Sequence, residues 1–267
     1  MDPAPTRHID DHRIVRWTSA LGRALVSLIE RTQRWSQANT FLAITLVVAM
    51  GLVVGTTKVA GEVYEAVADA DGIALIDRPL LDWILRVRTP DLNAVVAFYS
   101  NTGGPVLQPI IVGLVVLFLC WRWRSRTPLV LAAIASAGAL LLTLLGKELV
   151  GRTRPPLAEA IPPYESSPSF PSGHTLIATV VAGIVAYLLV HWFRTRGTRV
   201  VWLILLSIYA VTMGLSRVYL GHHWLTDVIV GWLIGIAWVA VVVSLHRLWL
   251  LARAKHGPQR WNTMLDK

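Results

Sequence analysis

The sequence predicts an all-α fold: a six-transmembrane helix bundle with short amphipathic helices outside the membrane between spans one and two. Three observations predict it. The chain of 267 residues is 54% hydrophobic and only 15% charged, whereas a soluble domain carries about a quarter charged residues. It has too little polar surface to coat itself in water. Six apolar runs approach or exceed the roughly 20 helical residues that a bilayer core of about 30 Å requires. The formal charge of +9 is sorted by side, with seventeen of the 25 Lys and Arg on one face of the predicted bundle. This composition excludes a soluble cytosolic enzyme, a disordered chain and a nucleic-acid binder, so a membrane and no nucleic acid is the expected setting. The single cysteine, Cys120, lies within an apolar run and forms no intrachain disulfide.

The predicted spans are residues 40–59, 106–121, 128–145, 175–192, 200–215 and 225–251. The first follows a basic segment, 1–39, and reads as an uncleaved signal anchor. The second is short and carries Pro109 in its first turn, where the missing N–H costs little. The sixth is followed by a basic tail, 253–267, which leaves 40–252 as the membrane domain. Both termini and the arginine-rich loops 122–126 and 194–199 share a side, so the termini are predicted to be cytoplasmic in a multi-pass cell-membrane protein. Trp121, Trp123, Trp192 and Trp224 fall at span ends, where indole rings favour the interface.

Between spans one and two, residues 60–105 face outward. Leu80, Trp83, Ile84 and Val87 follow helical spacing after a start at Asp77 and Pro79, and a second amphipathic piece runs from Pro90 to Tyr99. Both are expected to lie on the outer leaflet or in a solvated loop. Gly231 and Gly235 form a G-x-x-x-G pair in the sixth span, serving packing within the bundle or a homodimer.

Charged residues at span ends are costly and call for a reason. Three outward segments hold nearly all of them. In 147–155, Lys147 and Arg154 are seven residues apart, two helical turns, and face one way if the third span continues to Pro155; such a pair suits a dianionic phosphate. In 171–175, Ser172 is placed as a helix N-cap, Gly173 admits a ligand to the backbone, and His174 sits beside the free N–H groups of the first turn. In 216–227, Arg217 precedes His222 and His223. Asp227 is four residues after His223, close enough to fix its tautomer and leave the other ring nitrogen as a nucleophile. The i+4 neighbour of His222 is Thr226, yet spacing alone does not say which histidine attacks.

Under the charge-derived topology all three segments lie on the extracytoplasmic side. Together they supply cations, helix N–H donors, two imidazoles and an orienting carboxylate, a phosphoryl-transfer site with no acidic cluster for Mg²⁺ or Zn²⁺, so no metal or other cofactor is expected. These segments resemble the three signature motifs of the type 2 phosphatidate phosphatases, also called lipid phosphate phosphatases and related to vanadium haloperoxidases. The motifs are Lys, six residues, Arg-Pro; Pro-Ser-Gly-His; and Ser-Arg, five residues, His, three residues, Asp. The resemblance implies that His223 attacks phosphorus and forms a phosphohistidine, that Asp227 orients it, and that His174 protonates the leaving oxygen and then activates water. It implies that Lys147, Arg154, Arg217, Ser172 and the Gly173 N–H hold the phosphate oxygens. The expected activity is hydrolysis of the terminal phosphate of a phosphorylated membrane lipid: phosphatidate, phosphatidylglycerol phosphate or an undecaprenyl-type diphosphate. Transfer of the phosphoryl group to an alcohol acceptor is the alternative, and a non-catalytic lipid transporter a third.

Overall fold

The computed structural model describes residues 20–69, 71–193 and 195–256, which contain helices, turns and no strand. Eight α-helices follow in order: α1 (Ala20–Asp69), α2 (Asp77–Val87), α3 (Pro90–Thr102), α4 (Leu107–Trp123), α5 (Thr127–Val150), α6 (Gly173–Trp192), α7 (Arg196–Tyr219) and α8 (Leu225–His256). The chain divides into two compact units, Met1–Thr45 and Leu46–Lys267. The described part of the first is helical.

Five helical stretches are long and apolar enough to cross a membrane: Leu46–Asp69, Thr127–Val150, Gly173–Val190, Arg196–Tyr219 and Leu225–Arg253. A sixth is made by α3 and α4 together, bent by 51° at the break between them. That break explains the short second span. Gly103-Gly104-Pro105 interrupts the helix, since glycine is a weak helix former and Pro105 lacks a backbone donor. The apolar side chains of α3, Leu92, Val95 and Phe98, then turn outward, so α3 is the other limb of a broken span as much as a surface piece.

The first span extends beyond the predicted end at 59, because residues 60–69 are themselves amphipathic. Val63 is buried against Phe170 and Val230, with Ala60 and Val67 beside it. The stripe of α2 also differs from expectation. Leu81 and Ile84 are buried while Trp83 and Val87 point outward. The packed face lies against Val218 and Val228, so α2 rests on the end of the bundle.

Helix α6 is the hub, packing on α5, α7 and α8. Its Leu176, Val180, Ile184 and Leu188 recur every fourth residue and meet Leu131, Ala135 and Ala139 of α5 and Val242 of α8. Small residues set the close approaches, as expected where lipid gives no hydrophobic drive for helix association. Gly231 and Gly235 lie against Thr175 and Thr179 of α6, so the G-x-x-x-G pair is used inside the chain. Gly138 of α5 receives the indole of Trp238, whose Nε1 donates to the Ala135 carbonyl at 2.9 Å. A Cβ added at Gly138 would fall 2.1 Å from Trp238 Cζ2. Gly138→Val is therefore expected to lower the melting temperature in detergent, overpacking costing about 1–3 kcal/mol; an unchanged melt would contradict this packing.

Candidate active site

The three motif segments meet at one end of the bundle, where α5 and α7 finish and α6 and α8 begin. Helix α5 does not continue to Pro155. It stops at Val150 because Gly151 adopts a left-handed φ of 62° and donates its N–H to the Lys147 carbonyl at 3.0 Å. Lys147 and Arg154 thus do not share a helix face as their spacing suggested; the loop after Gly151 turns Arg154 back, and both cations reach segment 165–168. Lys147 Nζ donates to Ser167 Oγ at 3.2 Å and to the Pro168 carbonyl. Arg154 donates to the Ser167 carbonyl at 2.7 Å and to the His222 carbonyl at 2.6 Å.

Ser172 sits at the N-cap position of α6, but its hydroxyl does not cap the first turn. It accepts from Thr175 Oγ1 at 2.9 Å, while its backbone N–H donates to the Asp227 carbonyl at 3.1 Å, tying α6 to α8. Gly173 lies so close to α5 that a Cβ would meet Thr143 Cγ2 at 3.0 Å. Arg217 is buried at the end of α7 and donates to Ser100 Oγ of α3 at 2.7 Å.

The structure separates the two adjacent histidines. His222 Nε2 is held by the Ile161 carbonyl at 2.6 Å. His223 points into the site: its Nδ1 lies 3.4 Å from Asp227 Oδ2 and its Nε2 lies 3.2 Å from Arg154. The His223–Asp227 contact is a close approach without hydrogen-bond alignment, since Nδ1 has no hydrogen-bond partner. Burial, followed by the charges of Arg154 and Arg217, holds His223 well below its ordinary value of 6.5. Its imidazole is neutral at pH 7, the form with a lone pair to give.

Sequence reasoning missed Glu165. Its carboxylate takes one oxygen to Arg217 and the other to Arg154 at 2.7 Å. His174 Nδ1 is 3.8 Å away and His223 Nε2 3.9 Å away. Burial pushes this carboxyl up, but Arg217, His223, Arg154 and His174 outweigh it and bring it to about 2. Glu165 has no periodic or motif signal; only an anion's need for partners in a cationic pocket pointed to it. Arg152 and Asp77 were also missed as site residues. Arg152 reaches Asp227 Oδ1 at 2.6 Å and Asp77 Oδ2 at 2.8 Å. The sequence reading placed Asp77 as a helix start, and it does open α2, but its carboxylate accepts from Thr226 of α8 rather than capping its own helix.

The site opens two ways. A cavity of about 600 Å³ runs from Lys147, Glu165, His174 and Arg217 past Gln108 and Val112 of α4, Leu140 of α5 and Ile177 and Val181 of α6. Its deeper walls are apolar and its head is charged, the profile of a pocket for an amphiphile. A second pocket of about 430 Å³ lies beside it, between Arg152, Arg154, Ser167 and His222, and shares Glu165 with the first. Among the described residues, no three His, Cys, Asp or Glu side chains gather as metal ligands. The arrangement offers two guanidiniums and an ammonium near one point, with a neutral imidazole backed by a carboxylate.

Residues 126–250 match the PAP2 superfamily model. The chain is 32% identical over 179 residues to phosphatidylglycerophosphatase B of Bacillus subtilis, covering 65% of this chain and 85% of that protein. It is 33% identical over 155 residues to the undecaprenyl-diphosphatase of Sulfolobus acidocaldarius, covering 56% of this chain and 68% of that one. The fold is similar to the crystal structure of a transmembrane PAP2-type phosphatidylglycerolphosphate phosphatase from Bacillus subtilis, with a TM-score of 0.68 and 25% identity over 74% of this chain and 97% of the other. With motifs, helical order and length of match in agreement, this multi-pass membrane protein belongs to the PAP2 superfamily.

Proposed function

We propose that this lipid phosphate phosphatase hydrolyses the terminal phosphate of a lipid monophosphate or diphosphate through a phosphohistidine on His223, on the membrane side opposite the basic termini. The observation that carries the reading is the convergence of Arg154, Arg217, His174 and His223 on the single carboxylate of Glu165. A group of cations and imidazoles that surrounds one carboxylate has the charge and spacing to surround one phosphoryl group. Glu165 and a phosphate cannot share those partners, so Glu165 swings aside when substrate enters.

In the reaction, Lys147, Arg154 and Arg217, with the Ser172 hydroxyl and the Gly173 N–H, hold the non-bridging oxygens and offset the charge that spreads over them in the transition state. His223 Nε2 attacks in line, forming the N–P bond as the P–O bond to the lipid breaks. Asp227 stabilises the resulting charge on the ring through Nδ1. His174 gives its proton to the departing lipid oxygen and then takes one from the water that cleaves the N–P bond. The acyl or isoprenoid chain lies in the apolar cavity between α4, α5 and α6.

Purified protein in detergent is expected to release inorganic phosphate from at least one of phosphatidate, phosphatidylglycerol phosphate and an undecaprenyl-type diphosphate, equally well in EDTA. Orthovanadate, whose trigonal-bipyramidal adduct resembles the transition state, should inhibit below about millimolar concentration. No phosphate release from any of the three, or activity restored only by Mg²⁺, would overturn the reading. Phosphate recovered on an added alcohol instead of in solution would make the protein a phosphotransferase.

A further inference from the structure

We propose that Asp77 and Arg152 form a positioning pair for the reaction, holding the Asp227 carboxylate beside the ring of His223. This rests on the reading above, in which Asp227 orients the attacking histidine, and extends it to residues outside the three motifs. Arg152 lies between Lys147 and Arg154 in sequence but turns away from the phosphate site. One guanidinium nitrogen donates to Asp227 Oδ1 at 2.6 Å and to Thr226 Oγ1 at 2.7 Å. The other donates to Asp77 Oδ2 at 2.8 Å. The guanidinium carbon stands 5.5 Å from the Trp224 ring centroid.

Asp227 is fully buried and Asp77 is 4% exposed. Two carboxylates out of water require a counter-charge, and a buried anion stripped of its partner is strongly destabilising. Arg152 supplies that charge to both. The geometry does more than neutralise. With Oδ1 on Arg152 and Oδ2 accepting the Trp224 N–H at 3.0 Å, the Asp227 carboxylate is held at both oxygens, and Oδ2 lies 3.4 Å from His223 Nδ1. Asp77 in turn fixes Arg152 and the first turn of α8, accepting from Thr226 N at 3.0 Å and Thr226 Oγ1 at 2.6 Å. Asp77 comes from α2, outside the family match at 126–250. The helix on the end of the bundle therefore reaches the nucleophile through one arginine.

A double-mutant cycle on the full chain in detergent tests this, with phosphate release from the best of the three lipids as readout. Asp77→Asn keeps the side-chain shape and removes the charge. It is expected to lower kcat by about 10- to 100-fold, the scale of losses when an outer hydrogen-bond partner of a metal-ligating residue is removed, with KM changed less than about threefold. In an Asp227→Asn background the same change should cost less than about threefold more, because a residue acting through Asp227 has nothing left to act on. A wild-type kcat for Asp77→Asn, a loss confined to KM, or equal losses in both backgrounds would overturn the proposal. Should Asp77→Asn fail to give a helical, monodisperse protein, the cycle is run with Arg152→Lys, which keeps the charge and loses the two-pronged grip; the same outcomes decide. An active His223→Ala would sink the phosphohistidine reading itself. An inactive His223→Ala beside a wild-type Asp77→Asn would sink only the positioning pair.

Discussion

His223→Ala is expected to abolish lipid phosphate hydrolysis, lowering kcat by about 10⁶-fold, the scale seen when a nucleophile or its base is removed from a catalytic triad. The remaining cations would still bind the phosphate, so KM should move far less than kcat. Rapid quenching of wild-type enzyme with ³²P-labelled substrate should leave acid-labile label on the chain, and His223→Ala should carry none. Turnover within tenfold of wild type in a preparation free of contaminating phosphatase would refute the assignment. His222→Ala is the control that the structure makes sharp. The His222 side chain is spent on the Ile161 carbonyl, so its loss should lower the melting temperature and still leave labelled enzyme. The dependence on pH follows from the same burial. A pKa held well below 6.5 means that His223 keeps its lone pair as pH falls through 6.5. The acid limb of kcat/KM should therefore set in well below that value, and a limb at 6.5 would place the titrating group elsewhere.

The bundle was legible in the sequence because lipid makes a simple demand: long apolar runs with arginines gathered beyond one set of ends. The motif residues were legible because charge at a span end is costly, and there it concentrated in three segments. What escaped was everything set by chain reversal. The left-handed Gly151 moves Arg154 off the helix that would have paired it with Lys147 by spacing, and the loop rather than the helix brings them together. Glu165 lies in a stretch of turns without period, and its position depends on four partners from three other segments. Arg152 carried a usable clue. A carboxylate fully buried at Asp227 demands a counter-ion, and Arg152 was the one cation in the motif segments to which the resemblance gives no phosphate-holding role. The stripe of α2 was misread by one position, because period alone cannot distinguish Leu80 and Leu81 as the packed side. The bend between α3 and α4 followed from Gly103-Gly104-Pro105, but whether such a break divides a span or ends a surface helix depends on neighbours the sequence does not list.

Removal of the second histidine should separate the two halves of the reaction. If His174 first protonates the lipid oxygen and then deprotonates water, His174→Ala loses both services, each worth about 10²–10⁴-fold. Only one of them depends on the leaving group. A lipid alkoxide is a poor leaving group and needs the proton; p-nitrophenolate leaves without it. With a lipid phosphate, His174→Ala should therefore be slow at the first step and show no accumulated phosphoenzyme. With p-nitrophenyl phosphate, the first step should be largely spared while hydrolysis of the N–P bond stays slow, giving a burst of about one nitrophenolate per active site followed by slow turnover. Such a burst, absent from His223→Ala, would place His174 after the nucleophile and not in binding. Equal loss on both substrates with no burst would instead make His174 a phosphate-holding group, consistent with its 3.8 Å approach to the Glu165 carboxylate, and would leave protonation of the lipid oxygen to another donor.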